Sequence, residues 1–440
     1  MLSKKQFPTK RNNYLFLVGI CLWLPGISLL NVGSNGFQPM YLLLLVGFVT
    51  LLKFNIYSRY SYAFIIYIFL SILSLLISVL IADSQRLYFV FIHNILMIEF
   101  VVFLYFFIRK YGVTSFYSGY FLAGLVSSVV GASQFLFPQF MPNVLNNITF
   151  SLSSPILGRA FGFTPEPSTF VSLLLPLLGV IFYRRLLGIR PNNRFHRLII
   201  SRPSFLFFIV VFMMTGSMSI IVVLPIYFVS IVIMDPSLKK RFITKKIENY
   251  IKILIYILYE LLFLSPVIIL GLTKLQARYQ STDIGGSFAL RYGSIDYAFR
   301  DFLTSPVIGR GLGAANELIA KSAIYYNGVI LNIQKNGVDS WFVRVLHEQG
   351  ILGILPLVFL LFYAGLKVFR LKLHEDKIAI AEKRSAFIFC LGIFLTVSLA
   401  IGYRDLFNVW AAFAILIWLS STNRRNDSTE EENSILETNK

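Results

Sequence analysis

Cysteine is scarce in this 440-residue chain, which contains only Cys21 and Cys390, both inside apolar runs. These positions argue against a disulfide framework and against a thiolate metal site, so we expect both to be small core side chains. The hydrophilic loops contain no Asp-x-Asp motif and no cluster of metal ligands. We therefore predict that the protein needs neither a metal nor any other cofactor.

Acidic residues are also few, since 21 Asp and Glu stand against 40 Lys and Arg, for a net charge of +19. In a soluble protein this excess would suggest a nucleic-acid partner. Here 56% of the residues are hydrophobic and apolar runs recur along the chain. The basic residues fall in short loops between these runs, which is the pattern of cytoplasmic loops in membrane proteins. We predict membrane lipid as the surroundings and no nucleic acid as a partner.

The apolar runs predict an all-α polytopic membrane protein with about 12 transmembrane helices, because each run is near the length that crosses a bilayer. We treat residues 1–440 as a single integral membrane domain with both termini in the cytoplasm. No small-residue cleavage site follows Trp23 to Leu30, so the first run is expected to be a retained helix. The predicted spans are Tyr14–Leu30, Pro39–Leu52, Tyr62–Ala82, Leu87–Ile108, Phe116–Phe137, Pro167–Tyr183, two within Phe205–Met234, Tyr250–Leu272, Phe342–Leu366 and two within Ala386–Leu419.

The run from Phe205 to Met234 is too long for one helix, since it would measure roughly 45 Å. One helix would also place the basic residues that follow it on the outer side. Two short helices folded at Thr215-Gly216-Ser217 remove both objections. Lipid cannot satisfy the backbone of such a fold, so we expect other helices of the bundle to cover it.

Three segments are predicted to lie outside the helical body. Residues 138–162 and 273–340 form outer loops, and residues 421–440 form a polar, acidic cytoplasmic tail that is expected to be disordered. The larger loop is expected to carry short amphipathic helices, of which Phe288–Leu303 is the clearest. At about 100° per residue, Arg291 shares the apolar face of this helix with Ala298, Phe299 and Phe302.

Arg300 lies on the opposite face of that predicted helix, four residues after Asp296, where an exposed ion pair is the simplest interpretation. An arginine on an apolar face must either reach the surface or meet an internal anion. We therefore favour Arg291 over Arg300 as a functional residue.

A second group of residues lies where the first outer loop re-enters the membrane: Arg159, Gly162, Glu166 and Pro167. Pro167 suits the first turn of a helix, and the helix dipole favours an anion at Glu166. These effects alone could explain Glu166, and an interfacial position could explain Arg159. Gly162 would permit close approach of another backbone, which favours a functional arrangement.

This order of Arg, two residues, Gly, three residues and Glu-Pro resembles the bacterial O-antigen and capsule polymerase family. Two later segments resemble the wider superfamily of O-antigen polymerases and ligases, so the likeness extends roughly from Arg159 to Pro356. These segments are the glycine cluster Ser305–Gly313, preceded by Arg291 and Asp296, and the stretch Asp339–Gly353 with its Glu-x-Gly-x-x-Gly turn. Ligases of the superfamily usually have a His-Asn pair where Asp339-Ser340 stands, which favours a polymerase.

The resemblance implies a glycosyltransferase-type polymerase whose partner is a polyprenyl-diphosphate-linked oligosaccharide. It implies a location in the bacterial inner membrane, with O-antigen of lipopolysaccharide, capsule or exopolysaccharide as the product, and a second protein that regulates chain length. Arginines would meet the diphosphate, and a carboxylate or histidine would take the acceptor proton. The predicted catalytic residues are Arg159, Glu166, Arg291 and Asp339, and the predicted substrate-binding residues are Arg310, Arg344, His347 and Arg404.

Several of these residues also have simpler interpretations. Arg310 sits in a glycine cluster that could cradle phosphate or merely form turns. Arg344 and Glu348 could form a structural ion pair, as could Arg404 and Asp405. We do not assign the role of the ligase histidine to His347.

Ionisable residues inside apolar runs support a different class of function. His93, Glu99 and Glu260 could bond neighbouring helices, or they could form the proton pathway of a lipid-linked sugar flippase or other transporter. A glycan ligase with another acceptor is a further alternative. The concentration of arginines and carboxylates at one membrane face favours the polymerase.

Overall fold

In the part of the chain that the structure describes, the protein is an assembly of apolar helices with two short β-hairpins. The computed structural model describes residues 12–24, 30–32, 35–37, 39–52, 62–82, 87–137, 160–164, 167–188, 194–216, 219–235, 238, 294–315, 323–326, 329–332, 338, 340–371, 377–399 and 407–421. The helices are α1 Asn13–Cys21, α2 Pro39–Leu52, α3 Tyr62–Leu80, α4 Leu87–Tyr111, α5 Thr114–Leu136, α6 Pro167–Leu186, α7 Arg194–Ile200, α8 Arg202–Met214, α9 Ser219–Met234, α10 294–302, α11 Trp341–Phe369, α12 Lys377–Leu399 and α13 Phe407–Ser421. Strands Leu30–Val32 and Asn35–Phe37 pair antiparallel as β1 and β2, and Ala323–Tyr326 and Val329–Asn332 do so as β3 and β4.

Five of the described helices are long and apolar enough to cross a membrane, which makes this a helical membrane protein. They are Tyr62–Leu80, Val90–Tyr111, Thr114–Leu136, Pro167–Leu186 and Trp341–Phe369. Shorter apolar helices are Arg202–Met214, Val223–Met234 and Phe407–Ser421. The predicted span Tyr250–Leu272 lies outside the described residues.

Several predicted spans agree closely with the helices, but the first one and the start of α12, at Lys377 against the predicted Ala386, do not. Helix α2 has the predicted bounds, and α3 to α6 begin and end within three residues of the predictions. The prediction of a first span over Tyr14–Leu30 is wrong, because α1 ends at Cys21 and Leu30 begins a strand. The sequence continues with Pro25-Gly26, a pair that disfavours helix because proline lacks an N–H and glycine adds conformational freedom.

The predicted fold within Phe205–Met234 is confirmed. Helix α8 ends at Met214 and α9 begins at Ser219, with Gly216 at a φ of +54°. The backbone N–H of Ala160 donates to the carbonyl of Met214 at 3.1 Å, so another segment covers the turn. Along α9, however, Val229 is 56% exposed and Ile233 65% exposed, so this part of the hairpin lies at the edge of the bundle.

Helices α1 and α5 form the most extensive contact in the bundle, and glycines make it close. An added Cβ at Gly19 would lie 2.7 Å from the backbone nitrogen of Tyr120. At Gly119 it would lie 2.8 Å from the backbone carbonyl carbon of Phe16. Small residues allow such backbone approach, which is how dispersion forces hold helices together in lipid.

The bundle has two chemically different ends. Glu382 of α12 accepts a hydrogen bond from Thr114 at the start of α5, and Arg184 of α6 donates to Ser385 of α12 at 3.2 Å. We name this the basic end. Ser340, just before α11, donates to the carbonyl of Ser398 near the other end of α12, at 2.7 Å. We name that opposite end the site end.

At the basic end, a buried carboxylate joins three helical segments. Asp235, directly after α9, accepts hydrogen bonds from Tyr183 of α6 at 2.7 Å and from Arg384 of α12 at 2.8 Å. All three residues are buried, so these hydrogen bonds replace the ones that their polar groups would make to water in the unfolded chain. This network fixes the base of the α8–α9 hairpin against the bundle.

His196 of α7 is expected to make the protein acid-sensitive. Burial and the charge of Arg184 lower the pKa of His196 to about 4, and its Nε2 lies 2.8 Å from Oγ of Ser118. Because the folded pKa is below the ordinary 6.5, the neutral form stabilises the fold. That contribution is complete above pH 6.5 and is lost as the pH falls towards 4. The midpoint temperature of unfolding in detergent should therefore fall more steeply with decreasing pH for the native chain than for His196→Asn. Equal slopes would contradict the assignment.

Candidate functional site

The site end is organised by a break in α11. Gly350 has a φ of +66° and a ψ of −160°, so the helix is interrupted there. The groups freed by this break bond instead to the loop that contains the glycine cluster. Four backbone hydrogen bonds form this backbone joint: Arg310 N to His347 O at 2.8 Å, Gly311 N to Glu348 O at 3.0 Å, Ile351 N to Pro306 O at 2.9 Å and Leu352 N to Val307 O at 3.2 Å. The loop thereby replaces the missing turn of the helix, as backbone away from water requires.

Glycines permit the two backbones of the joint to meet. A Cβ added at Gly309 would lie 2.6 Å from the backbone nitrogens of Gln349 and Gly350. A Cβ at Gly311 would lie 2.7 Å from Cα of Ala82, just beyond α3. The N–H of Leu312 donates to the carbonyl of Ser78 in α3 at 3.0 Å. The glycine cluster therefore attaches the loop to α3 and α11 at once.

The hydrogen bonds of the glycine cluster show whether it could cradle phosphate or merely forms turns. The N–H groups of Gly309, Arg310, Gly311 and Leu312 all donate to carbonyl groups of the protein. An amide that is already bonded in this way does not form a cradle for phosphate. The turn interpretation is therefore the better one, with close backbone packing as the reason for the glycines.

Beside the joint, Asp301 of α10 binds a histidine and an arginine at the same time. His347 Nε2 donates to its carboxylate at 2.8 Å. Arg310 donates through Nη2 at 2.9 Å and through Nε at 3.2 Å. Burial alone would raise the pKa of Asp301, but the hydrogen bonds and charges of Arg310 and His347 outweigh it and lower the pKa below 3.8. The ionised carboxylate thus holds α10 and the loop against α11.

His347 is fully buried, and the carboxylate of Asp301 orients its ring. A carboxylate accepts but does not donate, so Nε2 carries the hydrogen of this bond. Nδ1 is buried and has no hydrogen-bond partner among the described residues.

Replacing Asp301 by asparagine should loosen α10. A hydrogen bond to a charged group contributes about 2 kcal/mol, so the amides of α10 should exchange with deuterium roughly 30-fold faster. Asp296→Asn is the matched control, because the Asp296–Arg300 pair on the same helix is exposed. Since the pKa of Asp301 is lowered, its contribution is present above pH 3.8 and is lost as the pH falls below that value. Equal exchange in the two variants would contradict this role.

The next residue of α11 faces a different environment. Glu348 pairs with Arg344 at 3.3 Å, and both side chains are less than 9% exposed. Both residues line a cavity of about 100 Å³ between α3, α4, α11 and α13. Gln349 also lines this cavity and accepts a hydrogen bond from Ser74 of α3 at 3.0 Å. Consecutive residues of α11 thus connect the backbone joint to an internal cavity.

The re-entry segment 160–164 is bound to α5. Gln134 accepts hydrogen bonds from the N–H groups of Phe161 at 3.1 Å and Gly162 at 2.9 Å, and donates to the carbonyl of Gly162 at 3.0 Å. Gly162 has a φ of +56°, and an added Cβ would collide with Ser127. The predicted close approach at Gly162 is confirmed. Arg159 and Glu166 flank this anchored segment but lie outside the described residues.

The predicted site residues divide into two sets. The structure describes three of them, Arg310, Arg344 and His347, and brings all three to the site end. Each is bonded to an acid, Arg310 and His347 to Asp301 and Arg344 to Glu348. The others lie outside the described residues, so their roles stay predictions: Arg159, Glu166, Arg291, Asp339 and Arg404.

Helix α10 shows what the sequence predicted and what it missed. The exposed pair of Arg300 with Asp296 is confirmed at 3.0 Å. Ala298 and Phe302 are buried as predicted, but Phe299 is 45% exposed, so its place on the buried face is wrong. The buried face is rotated towards Asp301, which sequence reasoning did not select. One signal was available, since Asp301 follows the buried Ala298 by three residues and so lies near the same face.

The site end thus combines Asp301 bonded to both His347 and Arg310, a buried Arg–Glu pair, a cavity and an anchored loop. Within the part of the chain that the structure describes, no group of three or more His, Cys, Asp or Glu residues could hold a metal. A scan against models of known protein families gives no match, and neither does a search of curated proteins.

Proposed function

We propose that this protein polymerises lipid-linked oligosaccharide repeat units into O-antigen, capsule or exopolysaccharide. The observation that carries the proposal is the backbone joint. It brings together the glycine cluster and the Glu-x-Gly-x-x-Gly turn, two of the segments on which the resemblance to O-antigen polymerases rests. Each segment alone is a weak motif, but glycines that allow two backbones to meet give both a shared physical role.

The reaction is a displacement at the first carbon of the donor glycan. The bond from this carbon to the diphosphate oxygen breaks, and polyprenyl diphosphate leaves with the electron pair. A bond forms from the same carbon to a sugar hydroxyl of a second lipid-linked unit, which loses its proton. The enzyme must therefore neutralise a diphosphate and accept one proton.

In this proposal Arg159 and Arg291 bind the diphosphate, and Glu166 or Asp339 accepts the proton. The neighbours of these residues support the assignment, because all are anchored at the site end. Gln134 holds segment 160–164, and Asp301 holds α10, whose first described residue is Ser294, three positions after Arg291. Ser340, the residue that follows Asp339, caps the N-terminus of α11 and donates a hydrogen bond to the carbonyl of Ser398 in α12.

Arg310 and Arg344 support the site through their acidic partners. In the proposal Arg159 and Arg291 make the diphosphate contacts, and Arg404 extends the binding surface. The placement of charge supports an outward-facing site end, because basic residues concentrate at the opposite end. Those described there include Arg109, Lys110, Arg184, Arg185, Lys367 and Arg370. The proposal includes about 12 spans, cytoplasmic termini and the bacterial inner membrane.

The decisive experiment supplies purified protein in detergent with the polyprenyl-diphosphate-linked repeat unit. A polymerase should yield longer glycans without a sealed membrane, and gel electrophoresis of the released glycan measures them. A ligase would instead transfer glycan only to a different acceptor. Folded protein that leaves the substrate unchanged would contradict the proposal.

A lipid-linked sugar transporter is the second candidate, and the internal cavity is the observation that favours it. His93 of α4 and the Arg344–Glu348 pair line this cavity, and buried ionisable groups are typical of transport pathways. A transporter would move the lipid-linked unit across sealed vesicles but would not elongate it in detergent. The same preparation therefore separates the two candidates.

Replacing Arg159 or Arg291 by alanine should slow elongation about 100-fold, because each removes one cation from the developing charge. The variants should insert normally, and cells should accumulate single repeat units. Arg300→Ala is the matched control, because that arginine is exposed and already paired. If both variants made polymer of normal length at normal expression, neither Arg159 nor Arg291 would belong to the site.

A further inference from the structure

We propose that the cavity between α3, α4, α11 and α13 binds a single neutral sugar ring of the lipid-linked substrate. This inference rests on the proposed function, which supplies a glycan. The cavity measures about 100 Å³, several times the roughly 15 Å³ that one water molecule requires. It is smaller than the roughly 150 Å³ that encloses a benzene ring, so it can hold several waters, or the inserted edge of one sugar ring in their place.

The position of the cavity suits a substrate that arrives at the site end. Trp341 is the first residue of α11, and Arg344 and Glu348 follow within two turns. Trp410 lies in the first turn of α13 on the opposite wall. A ring entering beside Trp341 would lie directly behind the backbone joint, since the carbonyl of Glu348 belongs to that joint.

The charge of the lining favours a neutral ligand over an anion. Arg344 and Glu348 contribute one positive and one negative charge, and they are paired at 3.3 Å. These two charges offset each other, and the imidazole of His93 is another ionisable group of the described lining. A hydroxyl group can donate to the carboxylate and accept from the guanidinium without disturbing that balance.

The remaining polar groups complement hydroxyls in the same way. Asn94 donates through Nδ2 to the carbonyl of Val90, which leaves Oδ1 as an acceptor. Gln349 accepts from Ser74 through Oε1, which leaves Nε2 as a donor. Neighbouring hydroxyls of a sugar ring both donate and accept, so amide side chains of this kind match them.

The indole of Trp410 brings a buried hydrogen-bond donor to the lining. Its Nε1 is buried and has no hydrogen-bond partner among the described residues. An indole N–H can only donate, and a buried donor without an acceptor is costly. Trp341 supplies a second aromatic ring in the same lining. Together the rings give apolar faces against which the C–H faces of a sugar can pack.

Binding is tested by saturation-transfer NMR with the full chain in detergent and methyl glycosides of glucose, galactose and N-acetylglucosamine as probes. At least one glycoside should receive saturation, and inorganic phosphate should not displace it. Trp410→Phe keeps the ring but removes the N–H, so its affinity should fall about 10-fold, the equivalent of one hydrogen bond. Trp418→Phe on the same helix, outside the cavity lining, is the matched control and should bind normally.

Three outcomes would overturn the inference: no saturation of any glycoside, displacement by phosphate, or unchanged affinity in Trp410→Phe. Thermal unfolding checks that each variant folds, and Asn94→Leu gives a second test of the same wall. The elongation assay keeps the two proposals distinguishable. If the native chain elongates glycan but Trp410→Phe binds glycosides normally, the cavity assignment alone is wrong. If the native chain does not elongate but Trp410→Phe loses glycoside binding, the polymerase proposal alone is wrong.

Discussion

Replacing Gly350 by alanine is expected to destabilise the protein by at least about 3 kcal/mol and, under the proposed function, to abolish glycan elongation. Gly350 has a φ of +66° and a ψ of −160°, a conformation that essentially only glycine adopts. An added Cβ would also lie 2.6 Å from the backbone nitrogen of Gly309 and closer still to the carbonyl of Val307. The methyl group must therefore separate the loop from α11 and break the backbone joint.

Gly112→Ala is the matched control for this variant. Gly112 also has a positive φ, +76°, but nothing lies within 4 Å of an added Cβ. It should lose only the roughly 1 kcal/mol that a left-handed backbone costs a residue with a side chain. Thermal unfolding and size-exclusion chromatography in detergent measure the stability and the folded state of both variants. Equal unfolding midpoints would show that the joint does not stabilise the fold.

Replacing Arg344 by alanine should cost about 3–5 kcal/mol, because it leaves the carboxylate of Glu348 buried without its cation. Both side chains of the pair are less than 9% exposed. Arg300→Ala is the matched control, since Arg300 also pairs with an acid four residues away but is 77% exposed. An exposed pair of this kind contributes at most about 1 kcal/mol, so this variant should unfold almost normally.

A double variant separates the charge from the packing. Arg344→Met combined with Glu348→Met removes both charges while it keeps apolar volume in the cavity wall. Its stability should exceed that of Arg344→Ala, because no unpaired charge remains buried. If the double variant were less stable than Arg344→Ala, the pair itself would be the stabilising element. Thermal unfolding in detergent provides the comparison.

Helix positions were largely predictable because they follow from local properties. Apolar runs bounded by charge and proline located α2 to α6 within three residues, and a length limit on one helix located the fold at Gly216. The first helix was predicted too long, since hydrophobicity alone does not register the effect of Pro25 and Gly26. Phe299 was placed on the wrong face because a few degrees of helix rotation decide which edge residue is buried.

The amino-acid sequence by itself determined the class of the protein, an apolar helical bundle, and the types of residue available at its site end. It also predicted the close backbone approach at Gly162, but for the cluster around Gly309 it left phosphate binding and turn formation open. Only the tertiary structure decided which groups meet. The hydrogen bond between Asp301 and His347 joins residues 46 positions apart, and it lies beside the break at Gly350. No local pattern encodes such a contact, because backbone bonds between α11 and the loop set it.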